Sequence, residues 1–388
     1  MTGAALLLCV SAAGCGDESL PDSTQGDSAR DSVFVSRPAD LAFAIPGDEF
    51  ALPLMEVTDI EPVNDSVVIV SDREIAYSVN AVFGHVTGVI GRAGDGPGEF
   101  RRVSWIQAAS PDTLAIYDRA LRRVTVLNSL LEFDHVRNIV APATSEDFRP
   151  ECVLADGAVV GRAVEDWRGN PGGRNEGLFQ PTIAVQVAGD DSIVNLGQLD
   201  DHARWVIIQT SGYRRTVLVI GVPFAPAPII RCRGMSVYWS DAAQPILHVA
   251  ERSGNSTSIH LTAWSAHNVS PADYAHFADS VEKAGGREAR HLAETVAESA
   301  PRTKMPALRD FLIGTDSTIW ALNYVTNERD DMQWARYSAE GSFLQIVTLP
   351  LRFSVKAASS HYLWGVWTAD DGVQEVRAYR IPQPTSVS

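Results

Sequence analysis

Two hexapeptides, Val67-Val68-Ile69-Val70-Ser71-Asp72 and Thr113-Leu114-Ala115-Ile116-Tyr117-Asp118, end on aspartates 46 residues apart. Each is a near-continuous apolar run, which suits a strand buried on both faces rather than one with a wet side. The outline returns at Ala158-Val159-Val160-Gly161-Arg162, Ser236-Val237-Tyr238-Trp239-Ser240-Asp241, Thr318-Ile319-Trp320-Ala321-Leu322-Asn323 and Tyr362-Leu363-Trp364-Gly365-Val366-Trp367. Around each lie short apolar strands broken by Asp, Gly, Asn or Ser, the all-β signal. A period of this size fits a four-stranded unit of about 40 to 50 residues, and units of that kind stack as the blades of a propeller.

The six units predict an all-β fold, a six-bladed β-propeller over residues 38–384. Two stretches exceed the minimal repeat. Residues 200–222 read as an extra hairpin, with two apolar runs around Ser211-Gly212-Tyr213. Residues 270–300 read as a small helical insertion between blades 4 and 5: Ser270 caps, Pro271 opens the first turn and Asp273 follows at the capping-box position. Tyr274, Phe277, Val281 and Ala284 then form one apolar stripe, and a second helix carrying Leu292 and Val296 follows Gly285-Gly286. The sixth unit is one strand short, which would leave an unpaired edge. Leu41-Ala42-Phe43-Ala44-Ile45 is expected to close the ring beside residues 375–381.

Hydrophobic residues make up 45% of the 388 and charged residues 21%, so the chain can bury a core. A formal charge of −16 argues against a phosphate backbone as partner, and nucleic acid is not expected. Residues 16–37 are rich in Asp, Ser, Gly and Pro and read as a flexible tether. The preceding run, Leu6-Leu7-Leu8-Cys9-Val10-Ser11-Ala12-Ala13-Gly14-Cys15, resembles a bacterial lipoprotein signal, although no Lys or Arg precedes it and Ala12 replaces a larger aliphatic residue. The resemblance implies cleavage after residue 14, acylation of Cys15, and a lipid-anchored protein of the cell envelope on the periplasmic or outer-membrane side. Nothing else approaches membrane-spanning length. An exported location permits a disulfide between Cys152 and Cys232, the alternative being two separate buried thiols.

Gly91-x-x-Gly94-x-Gly96-Pro97-Gly98-Glu99-Phe100, then Asp112-Thr113-Leu114, Tyr117-Asp118 and Arg123-Val124, resemble the repeat of NHL-like six-bladed β-propellers. Met305-Pro306-Ala307 through Trp320, and Gly365-Val366-Trp367 to Val376-Arg377-Ala378-Tyr379, are similar to the end of exported bacterial propeller lipoproteins. The resemblance covers roughly residues 40–382 and implies a fold, not an activity. The departures are Arg162, which stands where the first and second units have Asp, and a degenerate fourth unit. The glycine loop is no phosphate cradle, because Phe100 leads into another strand rather than a helix.

Strand alternation puts each loop between second and third strands on the same face as the connection from an outer strand to the next inner strand. That face collects residues 91–100, 165–174, 200–222 and 270–300. Arg162, Trp167, Arg168 and Arg174 form a candidate ligand site, since Arg offers a planar fork and Trp a stacking face. The alternative is a solvated Gly-rich loop. Glu99, Asp118 and Asp72 are expected at the same mouth, unless the aspartates cap their own turns.

No cofactor is expected. The nine histidines do not recur at one blade position, as a central metal site would need, and Asp370-Asp371-Gly372 is a turn that lacks calcium-loop spacing. No Gly-x-Ser-x-Gly occurs. The chain therefore reads as a membrane-anchored propeller that binds a protein, a glycan or a small anionic ligand on its loop-rich face. The alternative is a propeller hydrolase or lyase using a divalent cation in the central funnel.

Overall fold

The structure is a computed structural model that describes residues 36–383 except 51–53, 55, 65, 140–147, 165–176, 190–192, 212–213, 253 and 325–330. Trp167, Arg168 and Arg174, like Cys15, lie outside the described residues.

Among the described residues, six sheets of four or more strands follow one another along the chain. Their first strands are Val57–Pro62, Val103–Ser110, Phe148–Val153, Ile229–Arg233, Leu308–Ile313 and Phe353–Ala358. Each is an edge strand of its own sheet, paired only with the second strand. These six edge strands neighbour one another in cyclic order, the sixth returning to the first, and so surround a central channel.

There is no single core. An apolar cluster fills each of the six seams between neighbouring sheets. The second strands are apolar throughout because they feed two clusters at once: Val68 and Val70 pack toward the sixth sheet, while Ile69 packs toward the second. Likewise Trp320 and Leu322 serve the seam with the sixth sheet, and Ile319 and Ala321 the seam with the fourth. Period-two alternation therefore operates without alternation of polarity.

The strand Asp40–Ile45 pairs antiparallel with Gln374–Arg380, from Asp40 opposite Arg380 to Ile45 opposite Val376. It forms the outermost strand of the sixth sheet. Just before it, Ser36–Pro38 lies parallel to the last strand of the fifth sheet, Ser36 opposite Ile346. The last residues of the expected tether, Ser36 and Arg37, thus belong to a sheet.

Two additions interrupt the repeat. A hairpin, Arg204–Ser211 with Arg214–Gly221, links the third sheet to the fourth. A helix, α1 (Pro271–Ser299), links the fourth to the fifth. Ser270 and Asp273 make a reciprocal capping box at its start. At Gly286, with φ 77°, the helical path breaks into two segments. Arg290 ties the segments together through Asp279, Glu282 and Glu294.

Candidate functional site

The inner edge strands create a chemical problem. The N–H and C=O groups on their channel-side edge have no neighbouring strand, and leaving such groups unbonded inside a protein costs about 1 to 3 kcal/mol each. Side chains of the adjacent sheets answer it. The Ile106 N–H donates to Asp59 Oδ2 at 2.9 Å and the Ala108 N–H to Glu61 Oε1 at 3.0 Å, joining the first sheet to the second. Gln107 accepts from the Val153 N–H at 2.9 Å and donates to the Val153 carbonyl at 2.7 Å, joining the second to the third.

Cys152 and Cys232 are bonded, joining the third sheet to the fourth. Both cysteines lie within the inner edge strands. Arg231 Nη2 donates to Asp310 Oδ1 at 2.9 Å between the fourth and fifth sheets. The Thr315 N–H donates to the Ala358 carbonyl at 3.0 Å between the fifth and sixth, and Lys356 Nζ to the Thr58 carbonyl at 3.4 Å between the sixth and first. Every seam is thus stitched at the channel wall.

Inside this wall is a cavity of about 330 Å³ lined by all six inner strands. Its charged groups are Asp59, Glu61, Glu151 and Asp310 against Arg231, Arg233 and Lys356. Arg233 Nη1 meets Glu61 Oε1 at 3.1 Å, and because the fourth sheet stands opposite the first in a cycle of six, this pair spans the channel. Burial drives the Glu61 carboxyl up to about 7, against the pull of Arg233 and the Ala108 N–H. Burial also raises the Asp59 carboxyl, although the Ile106 N–H and the Lys356 ammonium oppose it. Among the described residues, no group of three or more His, Cys, Asp or Glu side chains is arranged to hold a metal ion.

The face carrying the additions is a constructed layer. Gly177–Phe179, from the connection between second and third strands of the third sheet, pairs with the hairpin strand Arg204–Ser211. At the base of that hairpin, Ala203, Val222 and Ala225 pack on Val296 of α1. Phe224, with φ 57°, sets its ring against Tyr274 and Phe277 of α1 at centroid distances of 5.1 and 5.7 Å. It also meets Tyr324, which follows the second strand of the fifth sheet, at 6.4 Å.

The residues expected at the mouth are placed as follows. Arg162 Nε donates to Glu151 Oε1 at 2.6 Å, and its Nη1 lies 3.7 Å from Asp201. It therefore ties an acid of the channel wall to the base of the hairpin. Glu99 folds back onto its own loop, accepting from the Gly96 N–H at 2.7 Å and pairing with Arg92 at 2.6 Å, and these contacts lower its pKa. Arg123 completes that loop by donating to the carbonyls of Asp95, Gly96 and Glu99.

Asp118 does not present its carboxylate to the mouth. It is fully buried and accepts from the backbone N–H groups of Arg101, Arg102, Ala120 and Leu121. Asp72 does the same for the Glu56 N–H at 2.7 Å. The aspartate that ends a second strand clamps the segment entering the adjacent inner strand.

The channel residues Asp59, Glu61, Arg231, Arg233, Asp310 and Lys356 were not among those expected to carry function. A signal for some of them exists in the chain: Asp59-x-Glu61 and Arg231-x-Arg233 set like charges two apart in first strands, on one face of each.

Comparison with solved structures finds likenesses of low sequence identity. The chain is similar to a protein of Bacteroides fragilis described as exported, with a TM-score of 0.50 and 12% identity over 91% of this chain and 98% of the other. It is also similar to the calcium-binding regucalcin of Agrobacterium tumefaciens (TM-score 0.39, 9% identity, 90% and 98% covered). The Cps50 β-propeller domain of Myceliophteria thermophila is a further likeness (TM-score 0.39, 9% identity, 89% and 100% covered). No family model matches the sequence, and no curated protein does. At these identities the likeness concerns the fold alone; it is the chain's own sheets, set in cyclic order around a channel, that make it a β-propeller.

Proposed function

We propose that this chain is an exported binding module, a six-bladed propeller of the NHL-like lipoprotein type held to the cell envelope by a lipid on Cys15. In this reading the six sheets are blades of one ring, the strand Asp40–Ile45 closes it, and residues 16–35 tether it. The hairpin and α1, between the third and fifth blades, form the working surface for a protein, glycan or anionic partner.

One observation supports this reading above others. Segments from separate connections, Gly177–Phe179, the hairpin and α1, pack against each other on a single face. A loop that merely links two strands needs no such layer, and rigid scaffolds place binding residues on elaborated loops. Leu178 lies in that layer and is 56% exposed, available for contact.

The test is a photo-crosslinking amino acid placed at Leu178 or at Leu130, expressed in cells. Leu130, 74% exposed, sits in a connection between third and fourth strands, which opens on the opposite face. Adducts at Leu178 and none at Leu130 are expected. Equal labelling at both positions, or at Leu130 alone, would reject the insertion face. Cys15→Ser should move the protein from the membrane to the soluble fraction, and retention in the membrane would reject the anchor.

A further inference from the structure

The channel cavity has a chemistry of its own, separate from the insertion face. Its acceptors are largely engaged. Asp59 receives the Ile60 N–H on Oδ1 and the Ile106 N–H on Oδ2. Glu61 Oε1 receives the Ala108 N–H and Arg233, and Asp310 Oδ1 receives the Phe311 N–H and Arg231.

The donors are not engaged to the same degree. An ammonium carries three N–H groups and no acceptor. Among the described residues, Lys356 makes one long bond, to the Thr58 carbonyl at 3.4 Å, and has no carboxylate within ion-pair distance. Arg231 uses its two Nη atoms, on the Ile230 carbonyl and Asp310, and its Nε has no partner among the described residues. Both cations lie close enough to Asp59 to act on it electrostatically. The Glu61 carboxyl, pushed up to about 7 by burial, gives up part of its negative charge near neutral pH.

We propose that the central cavity binds a small monoanionic carboxylate of about monosaccharide size, its carboxylate held by Lys356 and by the free edge of Arg231. The volume, about 330 Å³, is at the small end of the ~300 to 1,000 Å³ range of ligand pockets, which limits the guest to one ring or a short chain. The charge points to one negative group. Asp310 pairs with Arg231, Glu61 with Arg233 and Glu151 with Arg162, so Lys356 is the channel cation with no ion-pair partner among the described residues, Asp59 acting on it only from beyond that distance, and a dianionic phosphate would carry one charge too many. A cationic guest would meet an unpaired ammonium.

Titration calorimetry at constant ionic strength decides this, with D-galacturonate, lactate and acetate as probes. D-galactose, D-galactosamine and galactose 6-phosphate provide the neutral, cationic and dianionic counterparts. At least one carboxylate is expected to bind ten-fold or more tightly than its neutral counterpart. Lys356→Met should weaken that binding at least ten-fold, Lys356→Arg should restore most of it, and Arg231→Gln should weaken it in a folded ring. A thermal melt on each variant identifies any that fail to fold, and the arginine rescue keeps the proposal testable if the methionine variant is lost. The proposal is overturned if no carboxylate binds more tightly than its neutral counterpart, if the amine or the phosphate binds best, or if folded Lys356→Met binds as wild type does. Crosslinking at Leu178 reads the insertion face, outside the channel, and is independent of every one of these results.

Discussion

Glu61 and Arg233 belong to sheets on opposite sides of the ring, yet their side chains meet at 3.1 Å and form a bar across the channel. The bar is pH-sensitive. Glu61 titrates near 4.5 when unfolded and at about 7 when folded, so the protonated form favours the native state. The stability tied to its proton is fully present below about pH 4.5 and is lost as pH rises through 7, a change of roughly 3 kcal/mol. Asp59, raised in the same direction, adds to the trend. Glu61→Gln is therefore expected to match wild type near pH 4.5 and to be more stable at pH 8, as read by urea unfolding at both values. Equal midpoints at pH 8 would show that folding does not raise the carboxyl's pKa.

Asp118 holds four backbone N–H groups from two separate turns. Asp118→Ala removes every one of those acceptors in a fully buried place, at an expected cost of about 2 to 4 kcal/mol. Carboxylate binding in the channel should be unaffected, since the group does not line it. A denaturation midpoint equal to wild type would contradict the clamp.

The Cys152–Cys232 bond joins residues 80 apart in sequence. Linking so long a loop restricts the unfolded chain, and its removal typically costs about 2 to 5 kcal/mol. Dithiothreitol should lower the melting temperature of the wild type and leave that of a Cys152→Ser, Cys232→Ser double variant unmoved. An equal response of the two proteins to reductant would argue that the thiols are free in solution.

The glycine loop makes a prediction about coupling. Gly94 has φ 151°, and a Cβ placed there would clash with the Glu99 carboxylate. Gly94→Ala should destabilise by about 1 to 3 kcal/mol, and less in a Glu99→Ala background, because the clash is then gone. A double-mutant cycle measures the difference, and strict additivity would contradict the fold-back of Glu99.

The blades were legible because their second strands feed two seams, which forces residues such as Val68, Ile69 and Val70 to be apolar in succession. The helix was legible from Ser270, Pro271 and Asp273, a signature contained in four residues. The channel was not. Glu61 and Arg233 are 172 residues apart, and nothing local marks a charged residue of an inner strand as facing inward rather than toward solvent. Asp118 carries the lesson from the other side. A polar residue ending an apolar strand can mark a mouth or a clamp, and the choice depends on whether backbone donors such as those of Arg101 and Arg102 come within reach. The cysteine pair was legible only as one of two alternatives: consecutive units set the third and fourth inner strands side by side, but nothing local says that Cys152 and Cys232 meet across that seam.

The chain enters the propeller across a seam. Ser36–Pro38 lies on the fifth sheet and Asp40–Ile45 on the sixth, with one residue between them. A pull applied ahead of Ser36 is therefore taken first by the short parallel pairing with residues 346–348, and reaches the antiparallel strand only after that pairing has slipped. Under such a load the fifth sheet would act as a mechanical fuse: the molecule would lengthen by a few residues at Ser36–Pro38 while the sixth sheet stays whole.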